Sequence, residues 1–197
     1  MDVIERFEAR ASQDPDATAV VGPGGERIPY GHLDAEADRL AAALLDAGVG
    51  PGSVVGLCMT RRPPAVAVML AVLKAGAAFM PLDVSHPPDR IGTMVRTAAT
   101  YCVVTERDVA SALEQCPPPL PVLFHDELEP STRPLPSGKR ALPAHSLRCV
   151  IFTSGSTGRP KGIGMGSATI ENVADWALRS ADGPTVCLQF SLSLIHI

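Results

Sequence analysis

The chain has 197 residues, 46% of them hydrophobic, which is enough to bury a sizeable core and most simply makes one domain. Its formal net charge of −4 at pH 7 gives no reason to expect a nucleic-acid partner or an anionic membrane surface. No apolar stretch is long enough to span a bilayer, and the N-terminus carries acidic residues that are not typical of a signal peptide.

Helix and strand patterns alternate along the first 113 residues. Asp2 can cap a first helix, and residues 18–21 and 26–30 flank a glycine-rich turn, which predicts a hairpin. Further helices are predicted at residues 33–45, 65–75, 87–98 and 109–113, and strands at 54–59, 78–82 and 101–104. This alternation predicts an α/β fold with a mostly parallel sheet flanked by helices.

Residues 117–145 are rich in proline, which predicts an extended connector within the domain. Only residues 122–124 could form a strand there. Beyond the connector we predict strands at residues 149–152, 163–165 and 186–190. A helix is predicted from Ser167 or Thr169 to Arg179.

The segment Thr153-Ser-Gly-Ser-Thr-Gly-Arg-Pro-Lys-Gly162 carries most of the functional information. Glycines let a backbone approach a ligand closely, and successive free N–H groups form a concave anion site. Hydroxyl side chains add donors, and Lys161 adds a compact positive charge that suits a phosphate. The segment predicts a polyphosphate site, most simply for a nucleoside triphosphate, made by Thr153, Ser154, Gly155, Ser156, Thr157, Gly158 and Lys161.

Three other interpretations of this segment fit the residues less well. It is not a Walker A motif, because Gly162 follows Lys161 where a serine or threonine would hold magnesium. It lacks the glycine spacing of a dinucleotide-binding turn. A flexible surface linker is the plainest alternative, but a linker needs neither the preceding apolar strand nor a Pro-Lys-Gly ending.

The segment resembles the phosphate-binding motif of the adenylate-forming superfamily, which includes the adenylation domains of non-ribosomal peptide synthetases, acyl-CoA synthetases and luciferases. Upstream, Ile28-Pro-Tyr-Gly-His-Leu33 and Leu73-Lys-Ala-Gly-Ala-Ala-Phe-Met-Pro-Leu-Asp83 resemble the first two core motifs. His86-Pro-Pro-Asp-Arg-Ile91 follows as in the amino-acid-activating branch. The order and spacing of these motifs fit from about residue 3 to residue 190.

The resemblance implies an enzyme that activates an amino acid or another carboxylic acid with Mg-ATP, then transfers the acyl group to a carrier-protein phosphopantetheine thiol. It implies that residues 153–158 and Lys161 hold the β- and γ-phosphates. No catalytic residue and no metal ligand is assigned within this chain. An acyl- or aryl-CoA ligase, and a non-catalytic truncated remnant, stay open as alternatives.

The chain also departs from the family pattern. Phe152 stands where a tyrosine is usual, and Ser167 lies where a histidine is common. Residues 191–197 form a divergent tail without aspartate or glutamate, and the magnesium-binding acid, the adenine motifs and the C-terminal catalytic lysine have no counterpart. We therefore expect residues 1–190 to be a partial adenylation domain that is inactive alone.

The five cysteines are dispersed, and none forms a C-x-x-C pair. This pattern predicts neither a disulfide framework nor a zinc site, and it favours the reducing cytoplasm. Four of the cysteines lie in apolar strand-like runs, which predicts a packing role for Cys58, Cys102, Cys149 and Cys187.

Overall fold

The computed structural model describes residues 2–114, 116, 120–129, 131, 146–154 and 160–180. In this part of the chain the α-helices are α1 (Val3–Gln13), α2 (Tyr30–Asp46), α3 (Pro63–Lys74), α4 (Pro88–Thr97) and α5 (Ser167–Ser180). The strands are β1 (Thr18–Val21), β2 (Arg27–Pro29), β3 (Val54–Cys58), β4 (Ala78–Pro81), β5 (Cys102–Thr105), β6 (Val122–Phe124), β7 (Leu147–Ser154) and β8 (Pro160–Gly166). A short 3-10 helix covers Arg107–Leu113.

Local signals explain where these helices begin and end. Asp2 caps α1, and its backbone N–H donates in return to Glu5, so that both halves of a capping box are present. At the other ends of α2 and α3, Gly48 and Gly76 take positive φ angles of 84° and 80°. Each glycine donates to a carbonyl three residues back, and the residue after it donates to one five back, which is a Schellman motif.

The predicted parallel sheet is confirmed. Six described strands pair in the order β6-β5-β3-β4-β7-β8, while β1 and β2 form a separate antiparallel hairpin. All neighbours in the six-stranded sheet are parallel except β7 and β8. The strand predicted at residues 122–124 inside the proline-rich stretch pairs with β5.

Both faces of the central strands β3, β4 and β5 are buried, as is typical of a parallel sheet, whereas the edge strand β8 is largely exposed. Val55 and Leu57 of β3 pack on one side with α1, α2 and α3, and Val54 and Cys58 of the same strand pack on the other side with α4. This alternation follows from the two-residue period of a strand. The sheet is therefore the middle layer between two apolar clusters.

Some sequence predictions differ from the structure in detail. Helix α2 begins at Tyr30, three residues before the first apolar position of its predicted face, and the helix predicted at 109–113 is a 3-10 helix that begins at Arg107. The strand predicted at 186–190, the tail and most of the proline-rich connector lie outside the described residues. Among the described helices, none is both long enough and apolar enough to cross a membrane.

Candidate functional site

The predicted phosphate segment includes Thr153 and Ser154 at the end of β7 and Lys161 at the start of β8, and these two strands pair as an antiparallel hairpin whose tip is the Ser154–Pro160 end. Strand β7 pairs on its other side with the parallel strand β4, through Phe79 and Cys149. The tip therefore emerges at the carboxyl end of the parallel strands, which is where open α/β sheets bind ligands. Residues 155–159, which include Gly155, Ser156, Thr157 and Gly158, lie outside the described residues.

Two of the predicted phosphate-binding side chains meet across the hairpin. Thr153 pairs with Lys161, and Ser154 pairs with Pro160 at the next position. Directly opposed residues of an antiparallel pair point to the same face, with Cβ atoms about 5 Å apart. Thr153 and Lys161 are both exposed, so a hydroxyl and an ammonium face solvent together beside the tip.

The Phe152 ring packs across the hairpin next to the Thr153–Lys161 pair. Phe152 lies opposite Gly162, and a Cβ added to that glycine would lie 3.0 Å from Cζ of the phenyl ring. Phe152 also packs against the apolar cluster that contains α4. Gly162 is therefore needed because a larger residue would crowd the Phe152 ring. This reason differs from the conformational freedom that glycines give a loop.

The loops after β3, β4 and β5 place polar side chains at the same edge of the sheet. The Asp83 carboxylate accepts hydrogen bonds from Ser85, at 2.7 Å from Oγ and 2.9 Å from the backbone nitrogen. These bonds lower the pKa of Asp83 below its usual value, and Arg61 at 3.9 Å contributes less. Asp83 is therefore an anion at neutral pH, and it is held by hydrogen bonds within its own loop.

Arg148 is a residue that the sequence prediction did not single out. It lies near the start of β7, is only 2% exposed and donates hydrogen bonds to Asp2, Leu73 and Ser167. The available signal was an arginine within an otherwise apolar strand pattern, since a buried charge needs partners.

The carboxylates of the described residues offer one candidate for metal binding. The single group that has the spacing for an ion consists of Glu8, Asp34 and Asp38. The Lys74 ammonium already contacts all three, at 3.1, 2.7 and 2.5 Å respectively. These carboxylates neutralise a buried lysine, so they do not fit a magnesium site, and no step is derived through a metal ion.

The buried cysteines have packing roles, as predicted. Burial raises the pKa of Cys58, Cys102 and Cys149 to about 12, so each is a protonated thiol at neutral pH. All three lie in the apolar clusters around the sheet. Cys187 lies outside the described residues.

The sequence profile of a family described as AMP-binding enzyme matches residues 7–197. The chain belongs to this family. The match includes all six strands of the large sheet and therefore the whole β7–β8 hairpin. The resemblance to adenylate-forming enzymes is thereby confirmed.

Individual relatives include a linear gramicidin synthase subunit and a novobiocin biosynthesis protein. A linear gramicidin synthase chain of Brevibacillus parabrevis is 35% identical over 190 residues, which cover 95% of this chain and 2% of the synthase. Novobiocin biosynthesis protein H of Streptomyces niveus is 36% identical over 199 aligned positions, covering 96% of this chain and 33% of that protein.

A solved structure of the nonribosomal peptide synthetase FmoA3, in its alpha-methyl-L-serine-AMP bound form, is similar to this chain with a TM-score of 0.79 and 30% identity. The similar region covers 91% of this chain and 20% of the solved one. The chain thus spans a third or less of the length of each of these three proteins.

Proposed function

We propose that this chain supplies the triphosphate-binding part of an enzyme that activates an amino acid with ATP, giving an aminoacyl adenylate and pyrophosphate. The observation that carries the proposal is the β7–β8 hairpin, which brings Thr153 opposite Lys161 beside the glycine- and hydroxyl-rich tip. Membership of the AMP-binding enzyme family and the likeness to a peptide synthetase with bound alpha-methyl-L-serine-AMP support the same chemistry.

In the proposed reaction, a carboxylate oxygen of the acid bonds to the α-phosphorus of ATP while the bond from that phosphorus to the pyrophosphate oxygen breaks. The acid is already ionised at neutral pH, so no general base is needed. Negative charge grows on the departing pyrophosphate. Lys161, with the hydroxyl and N–H groups of residues 153–158, would orient the β- and γ-phosphates and stabilise that charge.

The further parts of the proposal concern the whole enzyme. The peptide-synthetase relatives support an amino acid as substrate and a carrier-protein phosphopantetheine thiol as the acceptor of the acyl group. Magnesium would accompany ATP, and the Glu8, Asp34 and Asp38 carboxylates, which contact Lys74, are not proposed as its ligands. The free thiols of the described cysteines support a cytoplasmic location. Residues 1–190 are proposed to be part of one adenylation domain, with residues 191–197 a divergent tail.

The test is a titration of the chain with tripolyphosphate, which carries the phosphate arm of ATP without the nucleoside. Isothermal titration calorimetry measures this binding directly, without a probe near the hairpin. We expect saturable binding, weakened roughly 10- to 150-fold in Lys161→Ala, because a charge-assisted phosphate contact is lost.

Arg27→Ala is the matched control, because Arg27 is an exposed cation on the separate β1–β2 hairpin. It should leave the affinity within about twofold at roughly 0.15 M salt, where distant exposed charges are screened. An equal loss of affinity in the two variants would mean that tripolyphosphate binds to general surface charge. That result, or no binding by the wild-type chain, would reject the proposed phosphate site.

A further inference from the structure

Arg148 is a buried cation outside the residues proposed to contact phosphate. Each of its three nitrogens donates a hydrogen bond: Nη2 to the Asp2 carboxylate, Nη1 to the Leu73 carbonyl at 3.2 Å, and Nε to Ser167 Oγ at 3.3 Å. A buried guanidinium is destabilising unless such partners replace the hydration that it loses. The partners come from three separate elements, so Arg148 joins parts of the chain that are distant in sequence.

These contacts lie at the base of the β7–β8 hairpin, at the end opposite the tip. Arg148 is the second residue of β7, and Ser167 is the first residue after β8. The Ser167 N–H also donates to the carbonyl of Ser146 at 3.2 Å, just before β7. Hydrogen bonds therefore link the start of β7 to the residue that follows β8, at the base of the hairpin.

Helix α1 contacts both this base and the helix that follows the hairpin. Asp2, the ion-pair partner of Arg148, is also the residue whose side chain caps α1. One turn further along, Arg6 of α1 pairs with Asp175 of α5 at 2.5 Å. The helix thus contacts the entrance of the hairpin through Asp2, and the helix that follows the hairpin through Arg6.

We propose that Arg148 is a positioning residue, which holds the base of the hairpin against α1 and so sets where Thr153 and Lys161 lie relative to bound phosphates. The consequence for phosphate binding rests on the proposed function, whereas the brace itself needs no ligand. Placement of binding groups has a large effect in such sites, since an error of about 1 Å can cost on the order of 100-fold in rate.

The experiment is hydrogen exchange of the full 197-residue chain, compared between wild type and three variants. Arg148→Met removes the charge but keeps an apolar stem, and Arg148→Lys keeps the charge but loses the planar fork. Asp2→Asn removes the ion pair yet keeps the helix cap, because asparagine caps as well as aspartate. The amides of β8 and the start of α5 report on the hairpin, and those of β3 and β5 report on global stability.

We expect Arg148→Met to raise the exchange rate of residues 160–170 about tenfold or more relative to that of β3 and β5. Asp2→Asn should accelerate the same region to a smaller extent, and Arg148→Lys should lie between wild type and Arg148→Met. Arg10→Met is the control, because Arg10 of the same helix forms an exposed ion pair with Asp14, the residue just after it. That control should not change exchange in the hairpin.

Two exchange results would overturn the inference. Equal acceleration in the hairpin and in β3 and β5 would show that Arg148 contributes to global stability alone. Unchanged exchange in the hairpin would show that its base is held without Arg148.

Tripolyphosphate titration of the same variants separates this inference from the proposed function. Arg148→Met should weaken binding by about 3- to 10-fold, because the hairpin groups are held less accurately. Faster hairpin exchange with unchanged affinity would reject the positioning role and leave the phosphate site standing. A wild-type chain that does not bind tripolyphosphate would reject the proposed function, and the exchange rates would still decide whether Arg148 braces the hairpin.

Discussion

Lys161 lies in β8 opposite Thr153, and its ammonium is exposed at the mouth of the hairpin. In the chain joined to the remainder of an adenylation domain, we expect Lys161→Ala to lower kcat/KM for ATP by roughly 10- to 150-fold, since one charge-assisted contact is worth about 1.5–3 kcal/mol. Steady-state kinetics with ATP varied would measure this. An unchanged kcat/KM would support the surface-linker interpretation of the segment.

Cysteine labelling tests the packing at the scale of single residues. Cys102 and Cys149 are buried thiols with a pKa of about 12, whereas Cys116 is half-buried and its pKa is raised less. With iodoacetamide at about pH 8 we expect Cys116 to be modified well before the other two, because the thiolate is the reactive form. Peptide mass spectrometry would measure each site, and comparable labelling rates for Cys102 and Cys116 would contradict the packing.

The β7–β8 hairpin depends on a glycine facing an aromatic ring. A Cβ at Gly162 would lie 3.0 Å from the Phe152 ring, so we expect Gly162→Ala to lower the free energy of unfolding by about 1 kcal/mol or more through overpacking. Urea denaturation would measure the loss. Gly50→Ala is the matched control, because no atom lies within 4 Å of its added Cβ. Equal effects in the two variants would mean that glycine flexibility, and not the ring, sets the cost.

Element by element, the sequence patterns predicted the helices and the parallel strands well, because capping residues, glycine stops and apolar periods are local signals. Those local signals could not predict that β8 pairs antiparallel with β7. Residues 163–165 form a short apolar run that looks alike in a parallel and an antiparallel strand, so the pattern predicted a strand but not its direction. That direction decides that Thr153 and Lys161 face each other.

At the scale of the whole molecule, the sequence did not predict the ion pairs between residues that are distant in the chain. Arg148 and Asp2 are 146 positions apart, and Lys74 lies 40 and 36 positions from Asp34 and Asp38. No periodicity connects such residues, and although Arg148 stands out as a charge within an apolar strand pattern, nothing in the sequence indicates its partner. The phosphate segment could be recognised because its chemistry is contiguous, whereas the groups that hold it in place come together only in the folded chain.

Lys74 provides a test of this organisation, because one buried ammonium joins α1, α2 and α3 through Glu8, Asp34 and Asp38. Burial alone would lower the pKa of Lys74, but the hydrogen bonds to the carboxylates outweigh it, and the pKa is raised above 10.5. We expect Lys74→Met to lower the free energy of unfolding by about 2 kcal/mol or more at pH 8, because the carboxylates lose their partner.

The pH dependence of that loss follows from the direction of the shift. Between the unfolded value of 10.5 and the raised folded value, the native chain binds more protons than the unfolded chain, so this contribution is complete below pH 10.5 and falls as pH rises through the folded pKa. Urea denaturation from about pH 8 to 11 should therefore show the difference between wild type and Lys74→Met shrinking towards the alkaline end. A pH-independent difference for Lys74→Met would mean that its loss reflects packing of the side chain and not its charge.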